Sequence, residues 1–183
     1  MSELHFDFTT IARRQTILDD LLGRLDDEHR DVIVKRMEQA GVPDRHHHDF
    51  SEVLSTIDGL TVSERVKQDM REIYRILAEA EAAAHGCAVE ETHFHEVGNG
   101  EAIRSVLGIA LAIEALDPDE ITATPVQTGS GKVQCAHGLL DIPAPATAAI
   151  IARGIPVCDE KLEGELCTPT SAAVIYHFVD RLE

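Results

Sequence analysis

Apolar and polar residues alternate at the start of the chain, where Leu4, Phe6 and Phe8 are separated by His5 and Asp7, the period of a half-buried strand. The period then lengthens. Ile17, Leu18, Leu21, Leu22 and Leu25 recur at helical spacing with Thr9 or Thr10 as the expected cap, and Val32, Ile33 and Met37 mark a second helix from about Glu28 to Ala40 that Gly41 stops. After Pro43 the polar run D-R-H-H-H-D-F ends in a helix start near Asp49. Thr61-Val62-Ser63-Glu64 has the pattern of a capping box, so a long helix is expected as far as His85, with Gly86 as its end. Its apolar face (Val66, Ile73, Ile76, Leu77, Ala80, Ala84) reads as core packing, and the helix dipole alone accounts for His85 in the last turn. Ile103, Val106, Leu107, Ala110 and Leu111 mark a further helix that Asn99-Gly100 caps and that stops before Pro118.

Beyond it, Ile121 to Val126 and Lys132 to Cys135 read as short strands joined by T-G-S-G. Pro145 opens a helix to about Arg153, ended by Gly154. Thr168 caps the last helix and Pro169 opens it, with Val174, Ile175, Phe178, Val179 and Leu182 as its buried stripe. His177 falls off that stripe and is expected at the surface. Helices outnumber strands and are interleaved with them, which indicates an α/β or α+β fold: a helix-rich layered domain with a small sheet of short strands. Without repeat or linker, residues 1–183 read as one domain.

Composition narrows the partners. A net charge of -17 argues against a non-specific nucleic-acid or anionic-membrane surface and fits cations or cationic partners better, while a solvated acidic surface explains the same number without any partner. No apolar run approaches a membrane span, and M-S-E-L-H-F-D-F lacks the basic and apolar regions of a signal sequence, so a cytoplasmic location is expected. The four cysteines form no C-x-x-C pair and read as reduced thiols.

The histidines carry the candidate chemistry. In T-H-F-H-E-V-G-N-G, an extended backbone puts His93 and His95 on one face and Phe94 on the other, whereas a helix would splay them. Glu96 supplies an oxygen ligand or fixes a ring tautomer. A surface strand whose alternate residues are His is the competing reading. Of His46, His47 and His48, the outer two share a face if the run is extended; a histidine-rich loop of weak metal affinity fits it equally. Cys135 and His137 repeat the alternate-residue geometry with a softer ligand. The T-G-S-G turn lacks the spacing of a phosphate-binding P-loop. It reads as a hairpin turn, or as a backbone nest in which Gly129 and Gly131 permit the dihedrals and Lys132 adds charge.

Taken together, H-F-H-E-V-G, G-S-G-x-V-x-C-A-H-G-L-L-x-I-P-A-P-A-T and E-G-E-L-x-T-P-T, in this order, resemble the LarC family of nickel-insertion proteins of nickel-pincer nucleotide biosynthesis. The resemblance corresponds to that family's amino-terminal region. It implies insertion of nickel into pyridinium-3,5-bisthiocarboxylic acid mononucleotide, a lyase-class chelatase reaction coupled to CTP hydrolysis that makes the lactate racemase cofactor. By carry-over, His46, His48, His93, His95, Glu96 and His137 are the candidates for the metal, with Cys135 as a thiol ligand and Gly129, Gly131 and Thr168 for the substrate phosphate. The carboxy-terminal CTP-binding region of the family is expected to be absent from 1–183, so a separate CTP-binding chain is the implied partner; a homo-oligomer stays open. Two differences favour an alternative, an inactive paralogue that binds metal or nucleotide. A G-I-S-G-D-M-like turn of the family is replaced by Thr10-Ile11-Ala12-Arg13-Arg14-Gln15, and Glu101 and Ser105 stand where the family has Asp.

Overall fold

The computed structural model describes residues 1–183. Its helices are α1 (Arg14–Gly23), α2 (Asp27–Gln39), α3 (Phe50–Asp58), α4 (Glu64–His85), α5 (Gly100–Leu116), α6 (Pro145–Ile151) and α7 (Pro169–Phe178). The strands are β1 (Glu3–Phe6), β2 (Glu120–Ala123), β3 (Gly129–Ser130), β4 (Lys132–Cys135), β5 (Gly138–Asp141), β6 (Gly164–Glu165) and β7 (Arg181–Leu182). A parallel sheet runs β1-β2-β7, with Leu4 opposite Ile121 and Phe6 opposite Ala123. The other strands form two antiparallel pairs, β3 with β6 and β4 with β5. The helix-rich layered fold expected from the sequence is the fold observed.

Helix α5 is the axis of the core. From Ala102 to Ile113 only Arg104 escapes burial, as suits a helix apolar on nearly every side. It packs against α1, α2 and α4, while α4 also meets α3, α6 and α7. Asn99 caps α5 by accepting from the Ala102 N–H at 2.6 Å, so the helix starts immediately after the second histidine segment. Gly86 ends α4 in the left-handed conformation, φ 67°, leaving His85 on its last turn. No helix is long and apolar enough to cross a membrane.

Several local expectations are corrected. Helix α1 begins at Arg14 rather than after Thr9 or Thr10, because Thr9 folds back on Asp7 (N–H to Oδ1 2.9 Å, hydroxyl to Oδ1 2.6 Å) and Ala12 donates to the Leu166 carbonyl at 2.7 Å. Ser63, not Thr61, caps α4, accepting from the Val66 N–H at 3.2 Å. Helix α7 stops at Phe178, and Leu182 belongs to β7. His177 is not a free surface residue, since its Nε2 lies 2.9 Å from Asp69 Oδ1. Nor is T-G-S-G a hairpin turn. Gly129 and Ser130 pair with Glu165 and Gly164, and a Cβ on Gly129 (φ +83°) would meet the Gly164 carbonyl at 1.8 Å. The hairpin comes one strand later, where Ala136-His137 joins β4 to β5.

Candidate functional site

The two histidine-rich segments are zipped together. His47 N–H donates to the Gly98 carbonyl at 2.7 Å, Phe94 N–H to the His48 carbonyl at 2.7 Å, and His46 Nε2 to the Phe94 carbonyl at 2.8 Å. Alternation then sorts the side chains. The His46 and His48 rings meet edge to face with centroids 4.8 Å apart, while His47 is turned fully into the core. Its Nδ1 lies 3.0 Å from the Gly98 carbonyl, which only accepts, so Nδ1 carries the proton and the Thr56 hydroxyl donates to Nε2 at 2.8 Å. Burial holds this imidazole below its ordinary pKa.

Residues 93–96 form a loop that bends at His95 and Glu96, and its side chains still alternate as an extended backbone would place them. Phe94 is buried against Tyr74 while His93 and His95 face outward. Tyr74, itself buried, donates its hydroxyl to the Val97 carbonyl at 2.9 Å and anchors the loop's far end on α4. Gly98 admits this close packing, because a Cβ there would meet the His47 carbonyl at 2.0 Å.

His95 opens onto a cleft of about 360 Å³. Three elements bring imidazoles to it: the end of α4 supplies His85, the loop His95, and the β4–β5 turn His137. The His137 ring stands 4.6 Å from that of His95 and 4.7 Å from that of His85, centroid to centroid. Glu81, one helical turn before His85, places Oε2 3.4 Å from His85 Nε2. Burial raises the Glu81 carboxyl, against the pull of the His85 and His137 charges. His95 is pushed down, first by burial and then by His137, His85, His46 and His93. It is therefore a neutral nitrogen donor near pH 7.

Glu96 and Cys135 also line the cleft, the thiol donating to the Gly138 carbonyl at 3.4 Å. Another part of the wall comes from Arg13 and Arg14 at the start of α1, Glu165 of β6, and Thr168, Pro169 and Thr170 at the start of α7. Burial raises the Glu165 carboxyl, the Arg13 charge opposes this, and Glu96 adds to it.

Of the residues singled out in the sequence, His95, Glu96, Cys135, His137 and Thr168 line this cleft; His46, His48, His93, Gly129 and Gly131 do not. No three His, Cys, Asp or Glu side chains stand together as a formed metal-binding group. Sequence reasoning assigned His85 to the helix dipole and the arginine pair to a departure from the family's opening turn, and it passed over Glu81, Glu165 and Thr170. The Glu81–His85 spacing puts both on one helix face and was a usable signal; nothing local announces Glu165 or Thr170. Imidazole, carboxylate and thiol donors suit nickel and its first-row neighbours, and guanidinium groups beside a helix start suit an anion.

Comparison with known proteins gives this chemistry a context. The pyridinium-3,5-bisthiocarboxylic acid mononucleotide nickel insertion protein of Staphylococcus saprophyticus is 45% identical over 130 residues, 71% of this chain and 33% of that protein. The protein of the same description from Geobacillus kaustophilus is 38% identical over 148 residues, 79% of this chain and 36% of its own. The chain thus spans about a third of the length of the curated relatives it matches. No solved structure matches it significantly. The family described as Nickel insertion protein matches residues 16–183, and the chain belongs to that family.

Proposed function

We propose that this chain carries the nickel-handling and substrate-holding part of nickel insertion into pyridinium-3,5-bisthiocarboxylic acid mononucleotide, in the cytoplasm. The observation that carries the reading is the convergence of His85, His95 and His137 from three elements on one cleft, beside Glu81, Glu96 and Cys135. The exposed His85, His95 and His137 rings rotate about their side-chain bonds when nickel arrives, so the coordination sphere assembles on binding. His46 and His93, near enough to act on His95 electrostatically, stand beside the cleft as further nitrogen donors. The substrate's thiocarboxylate sulfurs, softer than imidazole, then draw nickel from the protein. CTP is used by a region beyond these residues or by a separate CTP-binding chain.

The test combines this chain, a CTP-binding portion from a relative, the mononucleotide, CTP and nickel, and follows the nickel-containing product by mass. Product is expected, and its yield should collapse in a His95→Ala/His137→Ala variant. Full yield from that variant would remove the site from the reaction.

A second reading, a binding module without insertion activity, is favoured by one observation. Thr10-Ile11-Ala12-Arg13-Arg14-Gln15 stands where the resemblance puts a glycine-rich opening turn, and Arg13 and Arg14 line the cleft. Nickel and mononucleotide binding with no product, even beside an active CTP-binding portion, would establish it.

A further inference from the structure

The arginine-bearing part of the wall is not explained by nickel. Most other arginines of this acidic chain lie within ion-pair distance of a carboxylate, whereas Arg13 and Arg14 lie against none and face the cleft. The first turn of the ten-residue α7 lines the same cleft. Its cap is internally satisfied, with Thr168 N–H donating to Ser171 Oγ at 2.9 Å and Ser171 N–H to Thr168 Oγ1 at 3.3 Å. Pro169 has no N–H to give, so Thr170 carries the first helical amide that no cap takes.

Thr170 supplies an independent sign of a ligand. Its side chain lines the cleft although the residue is only 2% exposed. Its hydroxyl finds no partner within the protein and, unlike that of Thr147, is not sealed from solvent. Open to the cleft and unpaired within the protein, this hydroxyl is a donor available to an acceptor bound there.

We propose that Arg13, Arg14, the Thr170 hydroxyl and the first turn of α7 form a phosphomonoester subsite that seats the phosphate of the mononucleotide. The identity of the ligand rests on the functional reading above; the subsite itself rests on these groups. Guanidinium groups match phosphate oxygens two at a time, and the helix start adds N–H donors and a favourable dipole. The cleft volume, about 360 Å³, falls in the range of small-molecule sites. Glu165 is the opposing charge in Arg13's field, and its carboxylate repels a phosphate seated beside it. Phosphate recognition thereby moves from Gly129 and Gly131, outside the cleft, to side chains that line it.

The probes are pyridinium-3-carboxylate ribose mononucleotide and its dephosphorylated riboside, titrated by calorimetry into the intact chain. The mononucleotide should bind at least about tenfold more tightly, the loss expected when charge-assisted hydrogen bonds are removed. Arg13→Ala/Arg14→Ala should erase that preference, Thr170→Val should reduce it without changing side-chain shape, and Glu165→Gln should enlarge it. If the double variant melts early, Thr170→Val and Glu165→Gln decide. Equal binding of the two probes, no binding of either at millimolar concentration, or a preference untouched by Thr170→Val and Glu165→Gln would overturn the subsite. Nickel titrations on the same samples separate the claims. Phosphate preference without nickel uptake sinks only the nickel reading, and nickel uptake without phosphate preference sinks only the subsite.

Discussion

Replacing His47 by Ala should unfold this protein far more readily than replacing its exposed neighbours, although all belong to the same histidine segments. The buried ring holds two hydrogen bonds, to the Gly98 carbonyl and the Thr56 hydroxyl, each contributing about 1 kcal/mol net. The Gly98 carbonyl keeps a partner after the change, because His47 N–H still reaches it at 2.7 Å. The Thr56 hydroxyl is left with water or nothing, and the vacated ring volume adds about 1 kcal/mol more. The sum is a loss of about 3 kcal/mol. With a urea slope of about 2 kcal/mol per molar, the unfolding midpoint falls by about 1.5 M. His93→Ala and His95→Ala, outward-facing side chains, should stay within about 0.5 kcal/mol of the parent. Urea unfolding of the three variants followed by circular dichroism reads the difference directly. A His47→Ala loss below about 0.5 kcal/mol, or an equal loss from His95→Ala, would refute the division into one structural and two functional histidines.

Other consequences are open to measurement. Gly129→Ala should cost at least about 3 kcal/mol in thermal or urea unfolding, since neither the positive φ nor the 1.8 Å approach to the Gly164 carbonyl leaves room for a methyl group; near-parent stability would contradict the β3–β6 packing. Glu165 has its folded-state pKa raised above 4.5 by burial, so its stabilising protonation is present below that value and lost as pH rises through the folded pKa. Glu165→Gln should therefore gain stability over the parent at pH 7.5 but not at pH 4, and a gain equal at both would rule out the buried carboxylate as its cause. Burial pushes the Cys167 thiol up to about 11, so iodoacetamide at pH 8 should label Cys87, Cys135 and Cys158 and spare Cys167 until urea unfolds the chain, as peptide mass spectrometry would reveal.

What the sequence disclosed follows from how local each signal was. Helices α4, α5 and α7 were legible because period, cap and stop agree within single stretches: Asn99 before α5, Gly86 after α4, Thr168-Pro169 before α7. The two-residue strands β3, β6 and β7 were not, since each exists only through a distant partner, as Gly129 does through Glu165. The same holds at the site. Alternation correctly turned His46, His48, His93 and His95 away from the core, but alternation speaks only of faces. Which face meets which cleft depends on how α4 and the β4–β5 turn pack. His85, set aside as a helix-end cation, consequently stands beside His137, whereas His93 stays outside. Arg13 and Arg14 read as a departure from the family's opening turn, and their position on the cleft depends on a distant contact, the pairing of Ala12 with Leu166 and Cys167 between β6 and α7.

The central claim is that His85, His95 and His137 gather nickel at one cleft, and calorimetric titration of nickel into the metal-free chain tests it most directly, with His95→Ala/His137→Ala alongside. The account predicts one nickel per chain, with affinity reduced by more than about a hundredfold in the variant, beyond what loss of an outer-sphere partner alone produces. Nickel binding of unchanged strength and stoichiometry in the variant would contradict it.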